Sequence, residues 1–309
     1  MRIQQAAFVQ GKPFLKGALH CHTTRSDGHG TPEEVIRLHH ENGYHFMALT
    51  DHNILNHINH CLDVPMTMLA GVERDFWLPG HAEDAPHCVH VVGLGVPGDP
   101  AIPPQDARPA HAGSGKTCAE AQGMIDEMHG WNMKTFYAHP QWSGTTYRDF
   151  GVLKGNFAME IWNSGCAMDN DLDTNAAYWD EAIDNGAMMA GVAVDDGHPM
   201  EQHCNGWVMV AGENDPAAIL TALEQGAFYS SCGPEIHDFY VEDGVAHVRC
   251  SAVKAIQFVS LRAPLPCCRD GEGALTGAQC CLPEGLQYIR VCVTDAQGRR
   301  AWTNPIYLR

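Results

Sequence analysis

The sequence predicts an α/β protein: a largely parallel sheet that curls into a barrel, followed by a small all-β unit. Two observations carry that reading. Over the first two-thirds of the 309 residues, strand-like and helix-like segments alternate, and strands separated by helices run parallel. From about residue 236 the helical period vanishes, and short alternating runs between Gly-, Pro- and Asp-containing turns replace it, as in a small sandwich. The boundary therefore falls at 235/236, giving units at 1–235 and 236–309.

The elements follow in order. Residues 15–22 read as a strand ending in a polar cluster. Thr31-Pro32-Glu33-Glu34 then supplies an N-cap, a proline at the first helical position and a capping-box glutamate. That helix carries Val35, Ile36 and Leu38 inward and stops at Gly43. Strands follow at 44–50, 66–72, 87–95, 133–138, 157–162 and 187–194, with helices at 117–129, 174–185 and 215–225. Seven such strands in about 230 residues suit a closed barrel better than a small open sheet. In the tail, strands are expected at 236–242, 245–250, 255–262, 286–294 and 303–308.

Composition narrows the partners. Acidic residues outnumber basic ones 37 to 19, a formal charge of −18. Such a surface repels extended nucleic acid, whereas clustered carboxylates are held together by divalent cations. The start MRIQQAAFVQ lacks the apolar run of a signal peptide, and nowhere do 18 uncharged apolar residues run together. With 13 cysteines and no such leader, the chain reads as a cytoplasmic protein with reduced thiols and no membrane partner. Structural zinc pairs space cysteines two to four residues apart, so the doublets Cys267-Cys268 and Cys280-Cys281 read as ordinary thiols.

Histidine is the unusual component, at 19 residues, and its spacing is informative. The first strand ends His20-Cys21-His22, followed by Ser26-Asp27-Gly28. Residues two apart on a strand face the same side, so His20 and His22 can bind one ion together. Later strands end in Thr50-Asp51-His52-Asn53, Gly71-Val72-Glu73, Ala138-His139-Pro140 and Asp196-Gly197-His198, and the strand at 87–95 carries His90. In an α/β barrel the strand ends converge on one face. Any one of these histidines alone reads as a hydrogen-bonded or surface residue; the ordered set reads as a metal centre. Imidazoles mixed with carboxylates suit zinc, manganese or iron as two or three divalent ions.

Together these segments resemble the four motifs of the PHP (polymerase and histidinol phosphatase) superfamily, over roughly residues 14–232. The stretch Phe228–Ile236 and the closing Trp302-Thr303-Asn304-Pro305 are similar, more weakly, to a branch with carbaryl-hydrolase-like metallohydrolases. The resemblance implies a distorted (β/α)7 TIM-like barrel with a two- or three-metal centre. It implies that His20 and His22 bind one ion with Glu73 and Asp196, that Asp27, His52 and His198 hold a second, and that Glu73 bridges to a third completed by His90 and His139. His87, three residues before His90, is the alternative there. Asp195 stands where many members carry a serine, and the DxH spacing favours Asp196 as the ligand.

The expected activity is hydrolysis of a small soluble phosphoester, with metal-bound hydroxide as nucleophile. Amide, ester or carbamate hydrolysis by the same centre is the alternative. Arg25 and Arg74 adjoin expected ligands and are the candidates for a bidentate clamp on a substrate anion. Trp142 is expected in the core. Gly113-Ser114-Gly115-Lys116-Thr117 has Ala110 where a P-loop needs glycine, and no strand before it, so it is not expected to bind nucleotide.

Overall fold

The structure, a computed structural model, describes residues 5–8, 11–80, 87–174, 176–260 and 263–308. Residues 175, 261 and 262, within an expected helix and an expected strand, lie outside them. A mixed α/β architecture surrounds one large sheet. Its ring is formed by β2 (Phe14–Ala18), β3 (Phe46–Ala48), β4 (Thr67–Trp77), β5 (Cys88–Gly95), β6 (Lys134–Tyr137), β7 (Asn156–Asn163) and β8 (Ala190–Val194) in that spatial order. The short β1 (Gln5–Ala6) pairs elsewhere. Strands β2, β3 and β4 are parallel, as are β6, β7 and β8. Between them β5 runs antiparallel to both neighbours. The two ends of the sheet meet through a parallel bridge between Cys21 and Gly197, supported by Asp196 N–H donating to the His20 carbonyl at 3.0 Å.

Six helices serve this ring: α1 (Pro32–Glu41), α2 (Gln122–Gly130), α3 (Tyr147–Phe150), α4 (Ser164–Asn170), α5 (Ala177–Asp184) and α6 (Pro216–Glu224). The start of α1 forms as its sequence dictates. Thr31 Oγ1 accepts from Glu34 N–H while Glu34 Oε2 accepts from Thr31 N–H, so two donors that the first turn cannot pair are satisfied. No helix separates β3 from β4, so the alternation is less regular than expected. Side chains from all seven ring strands, among them Leu15, Phe46, Leu69, Val92, Phe136, Ala158 and Val192, meet in one apolar cluster. Helix α6 joins that cluster through Ile219, Leu220 and Leu223. On the other side of the sheet, Met124, Ile125 and Met128 of α2 and Trp179 and Ile183 of α5 pack against Val72, Val91 and Ile161. Among the described residues no helix is long and apolar enough to cross a membrane.

The short β1, two strands beside the ring, and β14 (Cys267–Arg269) and β15 (Leu275–Cys281) in the tail were not foreseen. β9 (Trp207–Ala211) and β10 (Phe228–Ser231) flank α6, pair antiparallel, and attach to the outer edge of β2. The tail forms β11 (Ile236–Glu242), β12 (Val245–Val253), β13 (Ala255–Val259), β14 (Cys267–Arg269), β15 (Leu275–Cys281), β16 (Tyr288–Thr294), β17 (Arg300–Thr303) and β18 (Ile306–Tyr307). The sheet β1-β11-β12-β15 faces β13, β16 and β17 across a core that includes Phe239, Val248, Ile256, Phe258 and Val291. This second sheet is continuous with the ring, because β17 pairs with β10. A sequence shows strands by their period, but not which edges they join.

A candidate metal centre at the strand ends

The ring strands deliver their last residues to one face, where His20, His22, Glu73 and Asp196 meet. Glu73 Oε2 lies 3.2 Å from His20 Nε2 and 3.1 Å from His22 Nε2. Asp196 Oδ1 lies 3.2 and 3.0 Å from the same two nitrogens, which are 3.1 Å apart. His22, Asp27, His52 and His198 form a second group, and His52, Glu73 and His90 a third. His139 Nε2 sits 3.2 Å from Glu73 Oε1 and 3.7 Å from Asp196 Oδ2. All nine expected ligands are therefore brought together. The grouping differs in detail, since His52 faces both Asp27 and Glu73. Of the two histidines on the way into β5, His90 is the one in the cluster, with Nδ1 at 2.9 Å from Glu73 Oε1. Because β5 is reversed, His90 lies near its beginning, and still reaches the face where the parallel strands end.

The donor set fits divalent cations. His20 Nδ1 donates to Glu160 Oε1 at 2.7 Å, so its Nε2 is the atom turned toward the Nε2 of His22. Glu73 Oε2 is fully buried among three imidazoles yet has no hydrogen-bond partner. Buried polar atoms left this way are costly, and a cation between them resolves the arrangement. Electrostatics agree. Burial alone would lower His20, but Asp196, Glu73 and Glu160 push it up to about 10. Burial would raise the Glu73 carboxyl, but His20, His52 and His90 hold it well below the usual carboxylate range. The site attracts positive charge. Burial also lowers His52 to about 4, which favours the neutral ring with one nitrogen lone pair free.

Other groups fix these side chains. Asp51 Oδ1 accepts from Thr23 N–H at 2.8 Å, from Ser26 N–H and from both hydroxyls, which folds the 23–27 loop so that Asp27 faces the centre. The same fold requires Gly28, where a Cβ would lie 2.5 Å from the His22 carbonyl carbon. Glu160 Oε2 accepts from His139 N–H at 2.8 Å and from Asn163 Nδ2 at 2.9 Å, and Asn163 also donates to Asp196 Oδ2 at 3.0 Å. Asn53, His139 and Asp196 have φ of 52°, 22° and 50°, conformations that side-chain-bearing residues seldom adopt. All three are strand-end positions at the cluster.

Above the donors lies a cavity of about 250 Å³. It is lined by ligands and by Trp142, Gly165, Cys166, Asp169 and Gln202. Trp142 is thus a wall of the cavity, with its ring 5.0 Å from that of His139 and 5.8 Å from that of His90. Asp27, His52 and His198 form the solvent-facing edge, with side chains 50%, 26% and 32% exposed. Asp51, Asp169 and Gln202 were not identified as site residues from sequence, whereas Glu160 and Asn163, at the end of a strand, read as residues that either reach the site or cap a loop. Asp51 was visible in Thr50-Asp51-His52, but its role as a loop anchor needs the fold.

Neither arginine reaches the cavity. Arg74 alternates with Glu73 along β4 and points the other way. Its guanidinium donates to Asn53 Oδ1, Glu127 Oε2 and the Ala110 carbonyl and lies over Trp131. Arg25 pairs with Asp106 and lies 3.4 Å from His60. Among the described residues no lysine or arginine lines the cavity.

No family model and no curated protein sequence matches the chain. Among the solved structures similar to it are the following two. One is a two-domain protein from Bacteroides vulgatus containing a predicted PHP-like metal-dependent phosphoesterase, 14% identical, aligned over 99% of this chain and 98% of its own, with a TM-score of 0.49. The other is an amidohydrolase from Chromobacterium violaceum, 18% identical, over 60% of this chain and 88% of its own, with a TM-score of 0.42.

Proposed function

We propose that the chain is a metal-dependent hydrolase acting on a small anionic substrate, a phosphoester in the first instance. The observation that carries this reading is the convergence of His20, His22, Glu73 and Asp196 with Glu73 Oε2 unpaired among imidazoles. When bound, divalent ions would lower the pKa of water and take up charge on the phosphoryl oxygens. The chain's own groups do the rest. The ligand carboxylates Asp27, Glu73 and Asp196 fall short of the charge of even two divalent ions, a difference that Asp169 in the cavity wall and Glu160 behind His20 offset. Glu160 holds His20 in one tautomer and one orientation. Trp142 and the His90 ring restrict the cavity from one side, while the Asp27–His52–His198 edge leaves an approach from solvent. The 250 Å³ volume suits a small substrate.

A second reading, hydrolysis of an amide, ester or carbamate, is favoured by the lack of a lining lysine or arginine, because a carbonyl requires less balancing charge than a phosphate. One experiment separates them. The protein, purified without chelator, should carry at least two equivalents of transition metal. In that form it is assayed on a phosphomonoester panel and on an ester and carbamate panel. Turnover of phosphoesters, lost in His20→Ala and Asp196→Ala, supports the first reading. Turnover of carbamates or esters alone replaces it with the second. Metal content well below one equivalent, not restored by Mn²⁺, Zn²⁺ or Fe²⁺, removes both.

A further inference from the structure

A second cluster of ligand atoms lies behind the first, on the opposite face of the same chain segment. Side chains alternate around His20-Cys21-His22, so Cys21 points away from the centre described above. There it meets His39 of α1 and His203 from the loop after β8, and the three ligand atoms lie within 4.8 Å of one another. Cys21 and His39 are fully buried and His203 is 4% exposed. We propose that Cys21, His39 and His203, with Asp195 as fourth ligand, form a separate structural zinc site.

Four features support the assignment. His39 Nδ1 donates to the Val35 carbonyl at 2.8 Å, which fixes the ring and leaves the Nε2 lone pair facing Cys21 Sγ at 3.7 Å. On one tetrahedral zinc ion, with Zn–S about 2.3 Å and Zn–N about 2.0 Å, sulfur and nitrogen ligands stand about 3.6 Å apart. Both ring nitrogens of His203 are buried without any hydrogen-bond partner. A neutral imidazole in a packed interior normally satisfies at least one, and coordination here would do so. Asp195 Oδ2 lies 3.6 Å from His39 Nε2. Its carboxylate is held by the N–H groups of Cys204, Asn205 and Gly206, each at 2.8 Å, and by Ser164 Oγ at 3.0 Å.

Charge closes the argument. A Cys21 thiolate and the Asp195 carboxylate together neutralise one divalent ion, so the closed, water-free site holds no net charge. The thiol proton leaves to solvent as the metal–sulfur bond forms. The Tyr44 ring, 4.8 Å from His39 and nearly perpendicular, covers one side, and no coordination position is left for substrate. The site ties together the end of β2, α1 and the loop after β8. Those segments carry or adjoin His20, His22, Asp27, Asp196 and His198. It also gives Asp195, unusual beside Asp196, a function of its own.

Sulfur makes the test independent of the proposed activity, because the first centre has no cysteine ligand. Metal-free protein titrated with Co²⁺ should develop a thiolate-to-cobalt charge-transfer band in the near ultraviolet that saturates at one equivalent. The band and one equivalent of tightly bound zinc should be lost in Cys21→Ser and in His203→Gln. Both should persist in His198→Gln, which alters only the first centre, and in Cys204→Ser. Should the variants fail to fold, X-ray absorption of the zinc-loaded native protein decides, with a sulfur neighbour expected at about 2.3 Å. A native protein with no such band or no sulfur neighbour overturns the proposal. So does a band that survives both Cys21→Ser and His203→Gln.

Discussion

Glu160 shows how much of the centre depends on a residue that touches no expected ion. Its two oxygens hold His20 Nδ1, the His139 N–H and, through Asn163, the Asp196 carboxylate. Glu160→Gln keeps the volume but replaces an acceptor with an N–H₂ group. Metal affinity at the His20/His22 position should then fall by about 10- to 100-fold, read by titration against a competing chelator, while thermal stability changes little. Unaltered affinity would show that His20 is held by packing alone. The nine candidate ligands were legible in the sequence because histidines and carboxylates at successive strand ends imply a shared face before any contact is known, and because the motifs resemble a known set. The partners of Asp51 and Glu160 were not, since they lie 28 and 140 positions away in the chain and no local spacing reveals them.

At the scale of the element, the loop after β6 positions both a ligand and a wall. His139 is followed by Pro140, Gln141 and Trp142. The N–H groups of Gln141 and Trp142 donate to the Asp173 carboxylate at 3.0 and 2.9 Å. Burial raises Asp173 to about 6 despite those bonds. Its proton is therefore bound more tightly in the folded chain than in the unfolded one, where an aspartate titrates near 3.9. The sign follows from linkage: as pH rises from about 4 through 6, the folded state loses this advantage and stability falls, by at most about 3 kcal/mol. Asp173→Asn has no such titration. In metal-free protein the melting temperature of the variant relative to wild type should rise between pH 4 and 7; a constant difference would refute the assignment. The elements themselves were mostly legible, and α1 and the first seven ring strands appear where their periods place them. β9 and β10 were missed because four- and five-residue strands on either side of α6 have too short a period to stand out. The reversal of β5 left no trace in composition.

For the whole molecule, the tail is structurally part of the ring. Ser230 Oγ of β10 donates to the Gly191 carbonyl at 2.7 Å and accepts from Ala193 N–H at 3.0 Å, linking β10 to β8 by side chain. Asn304 repeats this by accepting from Gly191 N–H and donating to the carbonyls of Gly226 and Phe228. From β16, the buried Arg290 donates to both oxygens of Asp180 at 2.8 and 2.6 Å and covers Trp179, all on α5. Arg290→Met leaves Asp180 without its counter-charge and should cost about 3 kcal/mol in denaturant unfolding, most of which Arg290→Met/Asp180→Leu should restore. An effect near zero would mean that the tail folds by itself, as the change of period at 236 suggests. Among the described residues the ligand clusters all lie at or before residue 203. The bridge between Cys21 and Gly197 has a consequence for the order of events in folding. It closes a loop of 176 residues (197 minus 21), and contacts so distant in sequence form late, after the loop-closure entropy has been met. On the ribosome His20, His22 and Asp27 emerge before Asp196 and His198, so the cluster cannot be complete until residue 198 is free of the exit tunnel. The face that would do the chemistry is thus completed only once most of the ring has been made.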